Sequence, residues 1–212
     1  MPEPFSYRES GVDISREAEG ISALVRALTF RRVGTVTMMG SVGHFAGLID
    51  CGTHALALTV DGVGTMMLVA DRLQECRSSG IYCIAMNVND LYVMNIEPVA
   101  FVDYIAAEEV SIPKMEQIGR GLNEGARQAN IDIVGGETAT LKGMVTGLDL
   151  AGACLGIQEK DRIITGEAIR PGDLILGVPS SGIHSNGLTL ARRVVDAMDA
   201  WEKRLSNGRT LG

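Results

Sequence analysis

The run Ala55-Leu56-Ala57-Leu58-Thr59-Val60 reads as an apolar strand that ends on Asp61, and Asp61 opens the turn Gly62-Val63-Gly64-Thr65. A strand buried on both faces has no internal use for a carboxylate, because burying an unpaired charge is costly. Two further acids keep similar company. Ile131-Asp132-Ile133-Val134 runs into Gly135-Gly136-Glu137-Thr138, and Ala85-Met86-Asn87-Val88-Asn89-Asp90 sets Asp90 inside an apolar stretch. Hard oxygen ligands suit Mg²⁺, and glycines let backbone N–H groups approach phosphate oxygens. Asp61, Asp90 and Glu137 together therefore point to a divalent metal holding a polyphosphate. Each acid also has a plainer role open to it: Asp-Gly is a common turn dipeptide, Glu137 suits the start of a helix, and Asp90 could pair with an arginine.

Other reactive side chains say less. His184 lies in Pro179-Ser180-Ser181-Gly182-Ile183-His184-Ser185-Asn186-Gly187, where ligand contact and a local turn bond are equally open. His44 sits among glycines, and His54 at a strand start reads as structural. Ser180-Ser181 lacks the Gly-x-Ser-x-Gly context of a serine hydrolase, and no Gly-x-x-x-x-Gly-Lys-Ser/Thr loop occurs. Cys51, Cys76, Cys83 and Cys154 form no metal-ligand spacing and read as reduced thiols of a cytoplasmic protein.

The 212 residues carry a net charge of −7, which argues against nucleic acid or an anionic membrane as partner. Only 4% are aromatic against 46% hydrophobic, so the core is aliphatic and Met-rich. The N-terminus lacks a signal-peptide pattern, and no apolar run reaches the ~18 residues of a membrane span.

The elements that must position these residues follow from periodicity. A helix is expected from Ile14 to Leu28, short strands at 33–39, 45–51 and 54–60, and a helix at 66–76. A second helix should follow Gly80, with Ile84, Val88 and Leu91 on one stripe. Val99 to Ala106 reads as a strand. Ser111 and Pro113 open a helix faced by Met115, Ile118, Leu122 and Ala126. Strands are expected at Ile131–Val134 and Leu148–Ile157. This order predicts an α+β domain over residues 1–170, a mixed sheet with split βαβ units. Beyond Arg170-Pro171-Gly172-Asp173, residues 171–212 offer one strand, Leu174 to Val178, and one helix, the incomplete beginning of a second α/β domain.

The motifs, in order, are Gly11-Val12-Asp13-Ile14, Gly43-His44-Phe45-Ala46-Gly47-Leu48, Val60-Asp61-Gly62-Val63-Gly64-Thr65, Asn87-Val88-Asn89-Asp90-Leu91, Glu97-Pro98, Phe101-Val102-Asp103-Tyr104, Gly135-Gly136-Glu137-Thr138-Ala139, Asp149-Leu150-Ala151-Gly152 and Ser180 to Gly187. As an ordered set they resemble the phosphoribosylformylglycinamidine cyclo-ligase (aminoimidazole ribonucleotide synthetase) family of purine biosynthesis, from about Tyr7 to Met198. The resemblance implies a sheet-mediated homodimer with ATP along the dimer groove. It implies Mg-ATP phosphorylation of an amide oxygen of a small ribonucleotide, followed by ring closure by the neighbouring amine. Carried over by motif, Asp61, Asn89, Asp90 and Glu137 would bind metal and ATP phosphates. Gly62, Val63, Gly64, Thr65, Gly135, Gly136 and Thr138 would form the nucleotide loops. His184, Ser185 and Asn186 would lie on the substrate side, so that Asp61, His184 and Asn186 are the catalytic candidates. Asp50 is a further metal candidate by analogy with sister enzymes.

Two positions depart from the family pattern. Met66 stands where many members have Lys, and Thr140-Leu141-Lys142-Gly143-Met144-Val145 replaces an acidic, proline-containing run. Family members are also longer. Two alternatives are a truncated Mg-ATP-binding dimerisation module without turnover, and another ATP user of the superfamily: thiamine-monophosphate kinase, selenophosphate synthetase or the hydrogenase-maturation dehydratase.

Overall fold

The computed structural model describes residues 5–40, 42–180 and 182–211, so Ser181, named above, lies outside the described residues. An isolated helix, α1 (Ile14–Ala27), is capped by Asp13, whose carboxylate accepts from the Arg16 N–H. Next come β1 (Met38–Met39), β2 (Gly47–Cys51), β3 (His54–Gly62), α2 (Met66–Leu73), α3 (Arg77–Tyr92), β4 (Glu97–Ala107), α4 (Ile112–Ala129), β5 (Asp132–Thr140) and β6 (Leu148–Glu159). A final helix, α5, spans Leu188–Ala197.

The six strands form one sheet in the order β1-β2-β3-β6-β4-β5. Only β4 and β5 pair in parallel, joined through α4. Because β6 is antiparallel to both β3 and β4, those two strands run the same way with β6 between them. That is the split βαβ arrangement, with α2 and α3 as its crossover. β2 and β3 close on the two-residue turn Gly52-Thr53, where Gly52 takes φ +87° as such hairpins require.

One face of the sheet is covered and the other is bare. Ala55, Ala57 and Thr59 of β3, Phe101 and Ile105 of β4, and Leu150 and Cys154 of β6 are buried on the covered face. Alternate residues Leu58, Val60, Val102 and Tyr104 stand exposed on the other. α3 packs on β3 and β6, and α4 packs on α3.

The α3–α4 seam explains why α3 starts at Arg77 and runs through Gly80, earlier than the periodicity suggests. Glu75 accepts from the Arg77 and Ser78 N–H groups and so caps the helix. Gly80 faces Gly121 of α4, and a Cβ on Gly121 would stand 1.9 Å from the Arg77 carbonyl oxygen. Gly80 thus marks a close backbone approach.

Four other elements differ from expectation. α2 ends at Leu73, because Gln74 turns into the left-handed region at φ 54°. β5 runs on to Thr140, so Gly135, Gly136 and Glu137 lie inside a strand instead of in the turn after it. Of the strand expected at 33–39 only Met38 and Met39 pair, and Leu174 to Val178 pairs with nothing among the described residues. A lone strand has no ladder partner for its backbone groups.

Among the described residues, no helix is long and apolar enough to cross a membrane. Gly121→Ala should destabilise the protein by about 1–3 kcal/mol through overpacking. Gly119→Ala, two residues away with nothing within 4 Å of its Cβ position, should be neutral or stabilising by up to ~1 kcal/mol. Urea unfolding of the pair checks this.

Candidate functional site

The cleft at the carboxyl end of β3 is built from three stretches of chain. Asp61 comes from the strand. Tyr82, Met86, Asn89 and Asp90 come from successive turns of one face of α3, and His184, Ser185 and Asn186 come from the turn before α5. Together with Ala85 they line a cavity of about 350 Å³. Asp61 is held in place by its own turn, its Oδ1 accepting from the Gly62 N–H at 2.8 Å. The Val63 N–H donates to the Leu150 carbonyl at 2.7 Å and staples the loop to β6. Gly64, at φ +56°, turns the chain into α2.

α3 is tied to the same strand by Asn87, which is fully buried. Its Nδ2 donates to the Cys83 carbonyl at 2.9 Å and reaches the Asp61 carbonyl at 3.5 Å. Thr59 Oγ1 donates to the Asn87 carbonyl at 3.1 Å. In the sequence Asn87 is marked by an amide in the middle of an apolar helix face. Burial, and after it the charge of Asp61, hold the Asp90 carboxyl above the usual carboxylate range. Burial, chiefly, pushes the Cys83 thiol up to about 12, so this thiol stays protonated and unreactive.

α2 and α5 start side by side at this cleft. Thr65 Oγ1 and Thr189 Oγ1 are 3.1 Å apart. Seven residues further along each chain, Arg72 bonds Asp196 at 3.1 Å. The two helices are therefore parallel, with both positive dipole ends toward the cleft, an arrangement that favours an anion. The donor set offered by Asp61, Asp90 and the Asn89 amide is all oxygen, which fits a hard cation such as Mg²⁺.

Other expected site residues lie elsewhere. Asp61 and Asp103 both pair with Gly152, and Asp103 pairs with Gly136, so these four share the covered face. Glu137, next in β5 and opposite Tyr104, points to the bare face. Three strand spacings, about 14 Å, also separate β5 from β3. Within one chain Glu137 therefore does not join Asp61 and Asp90. No group of three His, Cys, Asp or Glu side chains able to hold a metal forms among the described residues.

Asp50 must be corrected more fully. Both its oxygens accept from Lys160 Nζ at 2.9 Å and one accepts from the Gly52 N–H. The Lys160 bond holds its carboxyl below the usual range. It sits opposite Ala55, six residues up β3 from Asp61, and serves the hairpin.

Gly135 and Thr138 stay with Glu137 on β5, and Gly136 leaves room for Asp103, whose Oδ1 would stand 2.5 Å from a Cβ there. Asp103, half-buried with its carboxyl pushed up by burial, is a residue that motif reading leaves without a role. His44 is spent on structure: Nδ1 accepts from the Phe45 N–H, and Nε2 bonds the Thr165 carbonyl at 3.1 Å. His184 Nε2 lies 2.9 Å from Ser180 Oγ.

This α+β fold, with an acid-tipped β3 and a paired helix start, is that of a known class. The family profile described as AIR synthase related protein, N-terminal domain, matches residues 43–158, and the chain belongs to that family. Among similar proteins, the phosphoribosylformylglycinamidine cyclo-ligase of Methanosarcina barkeri is 51% identical over 192 residues, 91% of this chain and 58% of that protein. The cyclo-ligase of Methanocaldococcus jannaschii is 49% identical over 210 residues, 97% of this chain and 59% of that protein. The chain thus spans somewhat over half the length of the curated relatives it matches.

Solved structures share the fold at low identity. Thiamine monophosphate kinase from Aquifex aeolicus superposes with a TM-score of 0.52 at 17% identity, covering 72% of this chain and 46% of that one. T. maritima PurL complexed with ADP gives 0.50 at 16%, covering 64% of this chain and 22% of that one.

The raised Asp90 carboxyl fixes the sign of a pH effect. The folded state holds the extra proton more tightly, so the associated stability is present below the unfolded value near 3.9 and is lost as pH rises through the folded value. Asp90→Asn should therefore raise the thermal midpoint at pH 7 relative to wild type, and the gain should shrink toward pH 4. Calorimetry across that range checks it.

Proposed function

We propose that this chain is the ATP-binding part of a phosphoribosylformylglycinamidine cyclo-ligase. Residues 1–170 would form the nucleotide-binding and dimerisation domain, and residues 171–212 the beginning of a second domain. The observation that carries the reading is one cleft that joins Asp61, Asn89 and Asp90 to His184, Ser185 and Asn186 beside two helix N-termini. The names of the relatives supply the reaction class, and the free cysteines suit a cytoplasmic enzyme.

In the reaction proposed, the amide oxygen of formylglycinamidine ribonucleotide takes the γ-phosphoryl group of ATP. The neighbouring amine then attacks the activated carbon, closes the imidazole ring and expels phosphate. Mg²⁺, held by Asp61 and Asp90 with Asn89, would neutralise charge on the phosphoryl oxygens. With the Gly62 and Val63 N–H groups bonded within the fold, Gly64, Thr65 and the start of α2 would present the backbone N–H groups to the nucleotide phosphates. The turn His184–Asn186 and the start of α5 face the ribonucleotide across the same cavity.

The bare sheet face supports a homodimer. Leu58, Val60, Val102 and Tyr104 form an exposed apolar surface of the kind that marks an interface. A second copy laid on it would cover Tyr104 and bring the row containing Glu137 to the groove between copies. A second reading, a Mg-ATP-binding module that does not turn over alone, is favoured by the unpaired Leu174–Val178 segment, whose Ile175 is 96% exposed.

Calorimetric titration with Mg-ATP, followed by phosphate release with and without formylglycinamidine ribonucleotide, tests these readings. Substrate-stimulated release with an imidazole product is the expected outcome. Binding without release selects the second reading, and absence of binding overturns both. Asp61→Asn should cut release by at least about 100-fold, the size seen when an electrostatic stabiliser is removed, with little change in thermal midpoint.

A further inference from the structure

The turn that carries His184 and Asn186 has little of its own to hold it. Both residues are exposed, and α5 has no fully buried residue. Among the described residues beyond Gly156, only Ala200 and Trp201 are buried. Trp201, the one tryptophan of the chain, lies under the Arg72 guanidinium, 4.5 Å from its ring centroid. Its indole N–H donates to Asp196 Oδ1 at 2.6 Å, the same oxygen that accepts from Arg72 Nη1 at 3.1 Å. Three side chains thus close a triangle between α2, α5 and the segment after α5.

The contact at Thr65 and Thr189 and the contact at Arg72 and Asp196 lie seven residues apart on both helices. Seven residues is two helical turns, about 10.5 Å. A lock at the far end of the pair therefore fixes both the spacing and the axial register of the two N-termini. An exposed ion pair alone is a weak lock; a buried indole that is hydrogen-bonded and stacked under a guanidinium is a stronger one.

We propose that Arg72, Asp196 and Trp201 form a clamp that sets the turn His184–Asn186 against Asp61. None of the three lines the cleft, so they are positioning residues that act through α5. The inference rests on the proposed function only for the identity of the ligand.

Amide hydrogen exchange on the ligand-free chain tests the clamp directly. Trp201→Ala should speed exchange across residues 182–198 and leave β3 and α3 unchanged. Trp201→Phe, which keeps a ring under Arg72, should restore most of the protection. Unchanged exchange in Trp201→Ala would overturn the clamp, as would loss of protection throughout the sheet. A double-mutant cycle on formylglycinamidine ribonucleotide binding then tests the consequence. Trp201→Ala should weaken binding roughly tenfold, and adding Asn186→Ala should cost nothing further, as for residues in one coupled network. Additive losses would overturn the positioning role. If wild type binds neither this ribonucleotide nor Mg-ATP, the functional reading fails while exchange still decides the clamp.

Discussion

The buried Asn87 amide joins the two elements that carry the carboxylates of the cleft. Its side chain bonds backward along α3 to the Cys83 carbonyl and outward toward the Asp61 carbonyl, while Thr59 donates to its main chain. A strand end and a helix face are otherwise free to slide past each other on aliphatic contacts, which are non-directional. Directional bonds in a buried place remove that freedom, since a slip leaves polar groups unpaired at a cost of about 1–3 kcal/mol each. The placement of Asp90, whose carboxyl is raised chiefly by burial and then by the charge of Asp61, follows from this tie.

The same helix is fixed on its other side by backbone approach. Gly80, Gly121 and Gly125 let α3 and α4 meet without intervening side chains, and a Cβ on Gly125 would lie 2.9 Å from Ile84. α3 is thus positioned by a polar tie toward the sheet and by steric closeness toward α4. Tyr82, Met86, Asn89 and Asp90 reach the cleft as a by-product of that placement.

Much of this was legible in the chain. The apolar runs of β3 and β6 and the stripe on α4 pointed to the sheet and its covering helices. Yet β3, read from its unbroken apolar run as buried on both faces, is covered on one face only. Asp61 and Asp90 were marked by polarity where apolar residues were expected, the 184–186 turn by its motif, and they meet in one cleft. Asp50 misled because a carboxylate bonded to Lys160, 110 residues away, leaves no local sign of its partner. Glu137 was read as following a strand because two glycines imitate a turn. In β5 they continue an edge strand, and the pleat sends Glu137 to the other face. Neither Gly80 as a helix interior nor the Trp201 contact with Arg72 has a local signal, since both depend on which surfaces meet.

Two carboxylates brought together in a chain of net charge −7 also set what enters the cleft. The helix starts there offer only about half a unit charge each, too little to offset two acids. On the function proposed, a free polyanion would meet a field that outweighs the two helix starts, whereas one already paired with a divalent cation would arrive nearly neutralised. Before shape is ever compared, such a cleft would sort its visitors by whether they carry their counter-ion with them.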